Sequence, residues 1–161
     1  HGDLERVIAG YENDNEGNRQ LAQHLWANNH WTRAALLREL VRYLREIGVT
    51  TQERLRDWAG TSNFAEFEGR VRITVRSEGK RPWVCGLGYA VYNWLVIRQR
   101  VETIKPDVHV HRFIESVLGR DLTDQDVVAV LKLVATRVGL KAYELDWRVW
   151  EYQRGQPGGV V

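Results

Sequence analysis

Apolar residues recur at intervals of three and four along most of the chain, and the breaks between such runs fall at glycine, proline, asparagine or threonine. Leu21, Ala22, Leu25 and Trp26 form one stripe within residues 17–29, which predicts a short helix. Thr32 stands as N-cap before the strongest pattern, residues 33–47, where Leu36, Leu37, Leu40, Val41, Leu44 and Ile47 share a face and Gly48 closes the run. Short helices are predicted at 51–58 and 63–68. Residues 88–99 are apolar nearly all round, which predicts a helix in the middle of a bundle with Trp94 in the core. A helix of about ten residues then runs to Leu118 and stops at Gly119. Thr123 and Asp126 resemble a capping box for a helix that turns Val127, Val128, Val130, Leu131, Val134 and Val138 inward and ends at Gly139. The last helix, 142–152, carries Leu145, Trp147, Val149 and Trp150.

Only residues 70–76 break this rhythm. There Val71, Ile73 and Val75 alternate with polar residues, the period of an extended segment. The breaker-rich run 77–82 after it is a loop, and the Gly/Pro-rich end, 155–161, is expected to be mobile. The expectation is an all-α fold: one compact multi-helix domain over residues 1–154, of seven to nine helices, with a short extended segment near 70–76.

Composition narrows the function without naming it. The chain has 161 residues, 43% hydrophobic and 27% charged, and no apolar run long enough for a bilayer, so a soluble, intracellular monomer without membrane contact is expected, cytoplasmic or nuclear. Its single cysteine, Cys85, provides neither an intramolecular disulfide nor a cysteine-based zinc or iron–sulfur site, in keeping with a reducing compartment. No Walker, dinucleotide-binding or zinc signature stands at recognisable spacing. Charge is unevenly distributed. Residues 70–105 hold eight basic side chains against two acidic ones, whereas 1–69 hold eight against eleven and 106–161 seven against eight. A polyanion such as DNA would lie on the basic stretch.

Candidate chemistry gathers in the same region. Gly86-Leu87-Gly88 opens directly into the apolar helix, so a tight turn there would present backbone N–H groups and a helix N-terminus to a phosphate. One helix and a short loop later comes Lys105-Pro106-Asp107, followed by His109, His111 and Arg112. Asp107 is placed as N-cap of that next helix, a role compatible with a carboxylate at the mouth of a cleft. His109 and His111, two apart at a helix start, point in different directions and make a poor shared metal site.

The arrangement resembles the helix-hairpin-helix DNA glycosylase superfamily, over a hairpin motif spanning residues 64–98 and the loop to Asp107. The resemblance implies hairpin contacts to DNA from Gly86, Leu87, Gly88, Tyr89 and Ala90. Lys80, Arg81, Lys105, His109 and Arg112 would lie near the backbone, and Trp83 and Tyr89 at the base pocket. It implies that Asp107 assists water in cleaving an N-glycosidic bond. Ala90 stands where bifunctional members carry a Schiff-base lysine, so the implied enzyme is monofunctional. Val84-Cys85 replaces the family's usual Leu-Pro, and residues 71–80 are less helical than its pattern. No cofactor is implied beyond a monovalent cation at the hairpin carbonyls. Two other readings remain open: a non-catalytic DNA-binding module of the same motif, and a helical protein-interaction domain in which the glycines are turns and Asp107 only a cap.

Overall fold

The structure, a computed structural model, describes residues 2–76 and 78–155. The chain divides into two compact units, His1–Leu87 and Gly88–Val161. The boundary falls inside the Gly-Leu-Gly run.

The N-terminal unit contains α1 (Gly2–Ala9), α2 (Asn15–Trp26), α3 (Trp31–Glu46), α4 (Gln52–Thr61), α5 (Phe64–Glu68) and the strands β1 (Arg72–Val75) and β2 (Trp83–Gly86). Short polar side chains start most of its helices, as isolated amide groups at a helix N-terminus require. Asp14 accepts from the Gly17 N–H at 2.7 Å, Thr51 from Arg54 at 3.2 Å and Asn63 from Glu66 at 3.0 Å. Thr32 is not such a cap: α3 begins two residues earlier than expected, at Trp31, behind His30, and Thr32 lies inside its first turn. Leu21, Ala22 and Ala34 are fully buried, with Val7, Ile8, Tyr11 and Leu25 packed against them. Arg38 ties α3 to the α1–α2 turn through Asn18 Oδ1 and the carbonyls of Ile8, Tyr11 and Glu12. Tyr43, Trp58 and Phe67 meet edge-on or tilted, with ring centroids 5.8 to 6.3 Å apart.

The alternating segment is a true strand. β1 pairs antiparallel with β2 in the register Arg72 with Gly86, Ile73 with Cys85, Thr74 with Val84 and Val75 with Trp83. Val71 and Val75 are buried, whereas Arg72, Thr74, Val84 and Gly86 face outward. A β-hairpin therefore stands where a helix-hairpin-helix would have part of its first helical arm.

The C-terminal unit is formed by α6 (Tyr89–Ile97), α7 (Val108–Leu118), α8 (Asp124–Arg137) and α9 (Ala142–Arg154). Its core joins Ile104, Val110, Ile114, Val127, Leu131, Ala135 and Val149. The chain is thus mostly helical, with one small two-stranded sheet among the described residues. Two inward assignments fail. The buried stripe of α8 advances in steps of four through Val127, Leu131 and Ala135, which leaves Val134 and the C-cap Val138 exposed. In α6 only Tyr92, Asn93 and Val96 are buried, and Trp94 is 41% exposed. Apolar composition all round did not place that helix centrally, because its second apolar face lines a cavity. The expected mobile tail lies largely outside the described residues.

Candidate active site in the C-terminal unit

A cavity of about 480 Å³ opens between α6, α7, α9 and the 98–107 connection. Trp94, Tyr143, Trp147 and Trp150 supply aromatic walls, Arg98, Arg100 and Lys105 supply cations, and Asp107 and Asp146 supply carboxylates. Trp147 stacks on Trp150 with centroids 5.0 Å apart, Arg98 lies over Trp94 and Arg154 over Trp150.

The connection that frames this cavity has little regular structure, and side chains anchor it at three points. Thr103 Oγ1 donates to the buried Asn93 Oδ1 at 2.6 Å, and Asn93 Nδ2 in turn donates to the Tyr89 carbonyl. Glu102 Oε2 accepts from the Ala142 N–H at 2.8 Å, at the start of α9. The Lys105 N–H donates to Asp146 Oδ1 at 2.8 Å. One buried and two part-buried polar contacts of this sort fix the loop on either side of Ile104, which is fully buried in the core. Arg100 sits in this segment with φ 68°, a left-handed conformation unusual for a residue with a side chain.

Asp107 is both a cap and a cavity residue. Its Oδ1 accepts the N–H groups of His109 at 3.0 Å and Val110 at 3.2 Å, and its Oδ2 lies 2.7 Å from Lys105 Nζ. Asp146 is of a different character. Burial pushes its carboxyl up to about 6, assisted by the charge of Asp107 and opposed by the Lys105 amide and ammonium. Two carboxyl groups in one cavity thus have unequal surroundings, one met by an ammonium and two amides, the other half-buried and inclined to hold a proton.

The residues singled out in the sequence separate between the units. Asp107 and Lys105 line the cavity together. Tyr89 packs against the core of the C-terminal unit and does not line the cavity. His109 lends its amide to Asp107, and Arg112 is exposed on α7. Gly88 is the N-cap of α6 with Ala90 in its first turn. Gly86 ends β2, and the Leu87 N–H donates to the Val71 carbonyl at 3.1 Å. Neither Gly86 nor Gly88 takes a positive φ, so the tight turn expected there is not built on the left-handed backbone that glycine would supply. Lys80, Arg81 and Trp83 are exposed on the β-hairpin of the N-terminal unit. Asp146, Arg98, Arg100, Tyr143, Trp147 and Trp150 were not singled out as site residues. Only the aromatic content of 142–152 hinted at them, and Asp146 reads in sequence as one more charge on a helix.

A second depression, of about 510 Å³, lies in the N-terminal unit beside Tyr43, Asp57 and Trp58. It is more open, and the Arg54 guanidinium on its rim is engaged with the Gly48 carbonyl at 2.8 Å. Among the described residues no group of three or more His, Cys, Asp or Glu is placed to hold a metal, and no helix is long and apolar enough to cross a membrane.

A family model described as a domain of unknown function, DUF8548, matches residues 6–154. The chain belongs to that family. The match takes in both units and every residue lining the C-terminal cavity. No curated protein and no solved structure matches the chain.

Proposed function

We propose that the C-terminal unit accepts an extruded nucleobase of DNA and hydrolyses its N-glycosidic bond. The observation that carries this reading is the pairing of Asp107 with Asp146 in a cavity walled by tryptophan and tyrosine. Aromatic faces suit a flat base lifted from its stack, and Arg98, Arg100 and Lys105 suit the phosphates on either side of it.

The chemistry follows from the inequality of the carboxyls. Breaking the C1′–N bond leaves an oxocarbenium-like sugar and a base carrying negative charge. Asp107 opposes the sugar's positive charge and takes a proton from the water that attacks C1′. Asp146 gives its proton to the departing nitrogen. Near pH 6 about half the molecules carry that proton, in keeping with the value its burial imposes. The resemblance to helix-hairpin-helix glycosylases supports the same chemistry at Asp107, while the β-hairpin before Gly86 does not follow that motif.

A second reading, a binding module without turnover, is favoured by the state of Asp107: both its oxygens are already engaged by the cap and by Lys105. One experiment separates the two. Wild type, Asp107→Asn and Asp146→Asn are incubated with duplexes carrying uracil, hypoxanthine, 8-oxoguanine, alkylated purines or modified cytosine, then heated in alkali. Strand breaks with wild type that both variants lose support hydrolysis, whereas tight binding without breaks supports the module. No binding to any duplex at low salt leaves a protein-interaction domain.

A further inference from the structure

The β1–β2 hairpin carries exposed cations without acidic partners among the described residues, Arg72 on its first strand and Arg76, Lys80 and Arg81 in the connection between the strands. Arg72, Arg76, Lys80 and Arg81 are exposed, and none forms an ion pair among the described residues. Arg70, by contrast, is used within the unit, 3.9 Å from Glu46 and over the Tyr43 ring. One acidic residue, Glu78, lies between Arg70 and Gly86.

Strand register gives the hairpin its form. Arg72 and Thr74 lie opposite Gly86 and Val84, while Val71 and Val75 are buried. Gly86 has no side chain to stand in front of Arg72, and a Cβ there would sit tightly, 3.2 Å from the Val71 carbonyl. A two-stranded ribbon fits the width of a major groove.

From these features we infer that the β1–β2 hairpin is a binding surface for the phosphate backbone of double-stranded DNA. The inference rests on the nucleic-acid reading above but does not need hydrolysis. A partner with this charge is favoured over an anionic bilayer, because four exposed cations stand against two exposed large apolar side chains on the hairpin, Trp83 and Val84.

The test measures affinity for an unmodified duplex across a range of salt concentrations, for wild type and for a variant with Arg72, Arg76, Lys80 and Arg81 all changed to Gln. Each lost phosphate contact lowers the slope of log affinity against log salt by about 0.9, so the variant is expected to lose about 3 to 4 from the slope and most of its low-salt affinity. Circular dichroism and the urea midpoint check its fold. If it misfolds, the pairs Arg72→Gln/Arg76→Gln and Lys80→Gln/Arg81→Gln are each expected to remove about half of that slope. Unchanged slope and affinity overturn the inference. So does wild type that binds only single strands, phosphatidylserine vesicles or polyglutamate. Hairpin-dependent binding with every base left in place overturns hydrolysis alone, and base release with unchanged binding in the variant overturns the ribbon alone.

Discussion

The Nζ of Lys105 lies 2.7 Å from Asp107 Oδ2, and the amide of the same lysine is bonded to Asp146. One residue therefore touches both carboxyls, and its charge is among the influences that hold Asp146 down against burial. Replacing Lys105 by Met removes the ammonium and leaves the backbone bond. The Asp146 carboxyl is then expected to titrate above its present value of about 6, as read by carbon NMR of the side-chain carboxyls. An unchanged or lower titration would contradict this arrangement.

Asp107→Ala and Asp107→Asn are expected to differ in stability while sharing a chemical defect. Alanine removes the acceptor for the His109 and Val110 amides at the start of α7, at a cost of about 1 kcal/mol. Asparagine is a good N-cap and keeps the helix start, so its urea midpoint is expected close to wild type. Both lose the anionic oxygen beside Lys105. A stable Asn variant without base release would place the loss in the chemistry.

Arg100 holds a left-handed backbone beside the cavity, which costs a side-chain-bearing residue on the order of 1 kcal/mol. Glycine adopts that conformation freely. Arg100→Gly is expected to raise the melting temperature slightly while weakening binding of a phosphate-bearing ligand. Lower stability would mean that the arginine side chain contributes more to the fold than its backbone costs.

His111 gives the chain a predictable pH response. Its Nδ1 is 2.8 Å from Asp121 and its Nε2 2.8 Å from Asp124, and the hydrogen bond to Asp121 leads the influences that raise the imidazole above its ordinary value. A group raised in the folded state contributes stability that is fully present below its unfolded value, about 6.5, and lost as pH rises through the folded value. The urea midpoint is therefore expected to fall as pH climbs from about 6.5 through the higher value of the folded imidazole, and His111→Gln is expected to flatten that slope. An equal slope in the variant would assign the response elsewhere.

Much of this fold is written in periodicity, and the exceptions have physical causes. The helix α3 with Leu36 and Leu44 inward, the closing Gly48, Gly119 and Gly139, each with positive φ, and the strand at Arg72–Val75 were legible as patterns, whereas Ile47 is exposed at the C-cap of α3 and Ala34, Ala35 and Tyr43 share its buried side. The pairing of that strand was not legible, since β2 is four residues, Trp-Val-Cys-Gly, without alternation. Nor was α1, which precedes the first clear stripe. Asp107 could be found because a carboxylate after Lys-Pro and before an apolar run is a local signal. Asp146 could not, because its character comes from burial against a loop forty-one residues away in sequence.

The two glycines of the Gly86-Leu87-Gly88 run offer the sharpest contrast between the motif reading and the geometry. A phosphate-binding turn would need both to stay glycine, for positive φ and for close approach of a backbone. Gly88 instead has φ −80° and nothing within 4 Å of where a Cβ would stand. Gly88→Ala is expected to keep the fold and to lower the unfolding free energy by a few tenths of a kcal/mol to about 1 kcal/mol, the range of an N-cap change, as read from urea unfolding. Gly86→Ala puts a methyl 3.2 Å from the Val71 carbonyl and 3.4 Å from the Arg72 Cβ, so the paired backbone has to give by a few tenths of an ångström and the midpoint measures whether it does. Duplex binding distinguishes the two accounts. Under a glycine-turn mode, Gly88→Ala abolishes binding. Under the ribbon mode, it leaves binding intact, because the contacts come from Arg72, Arg76, Lys80 and Arg81 on the other side of Gly86 in the chain.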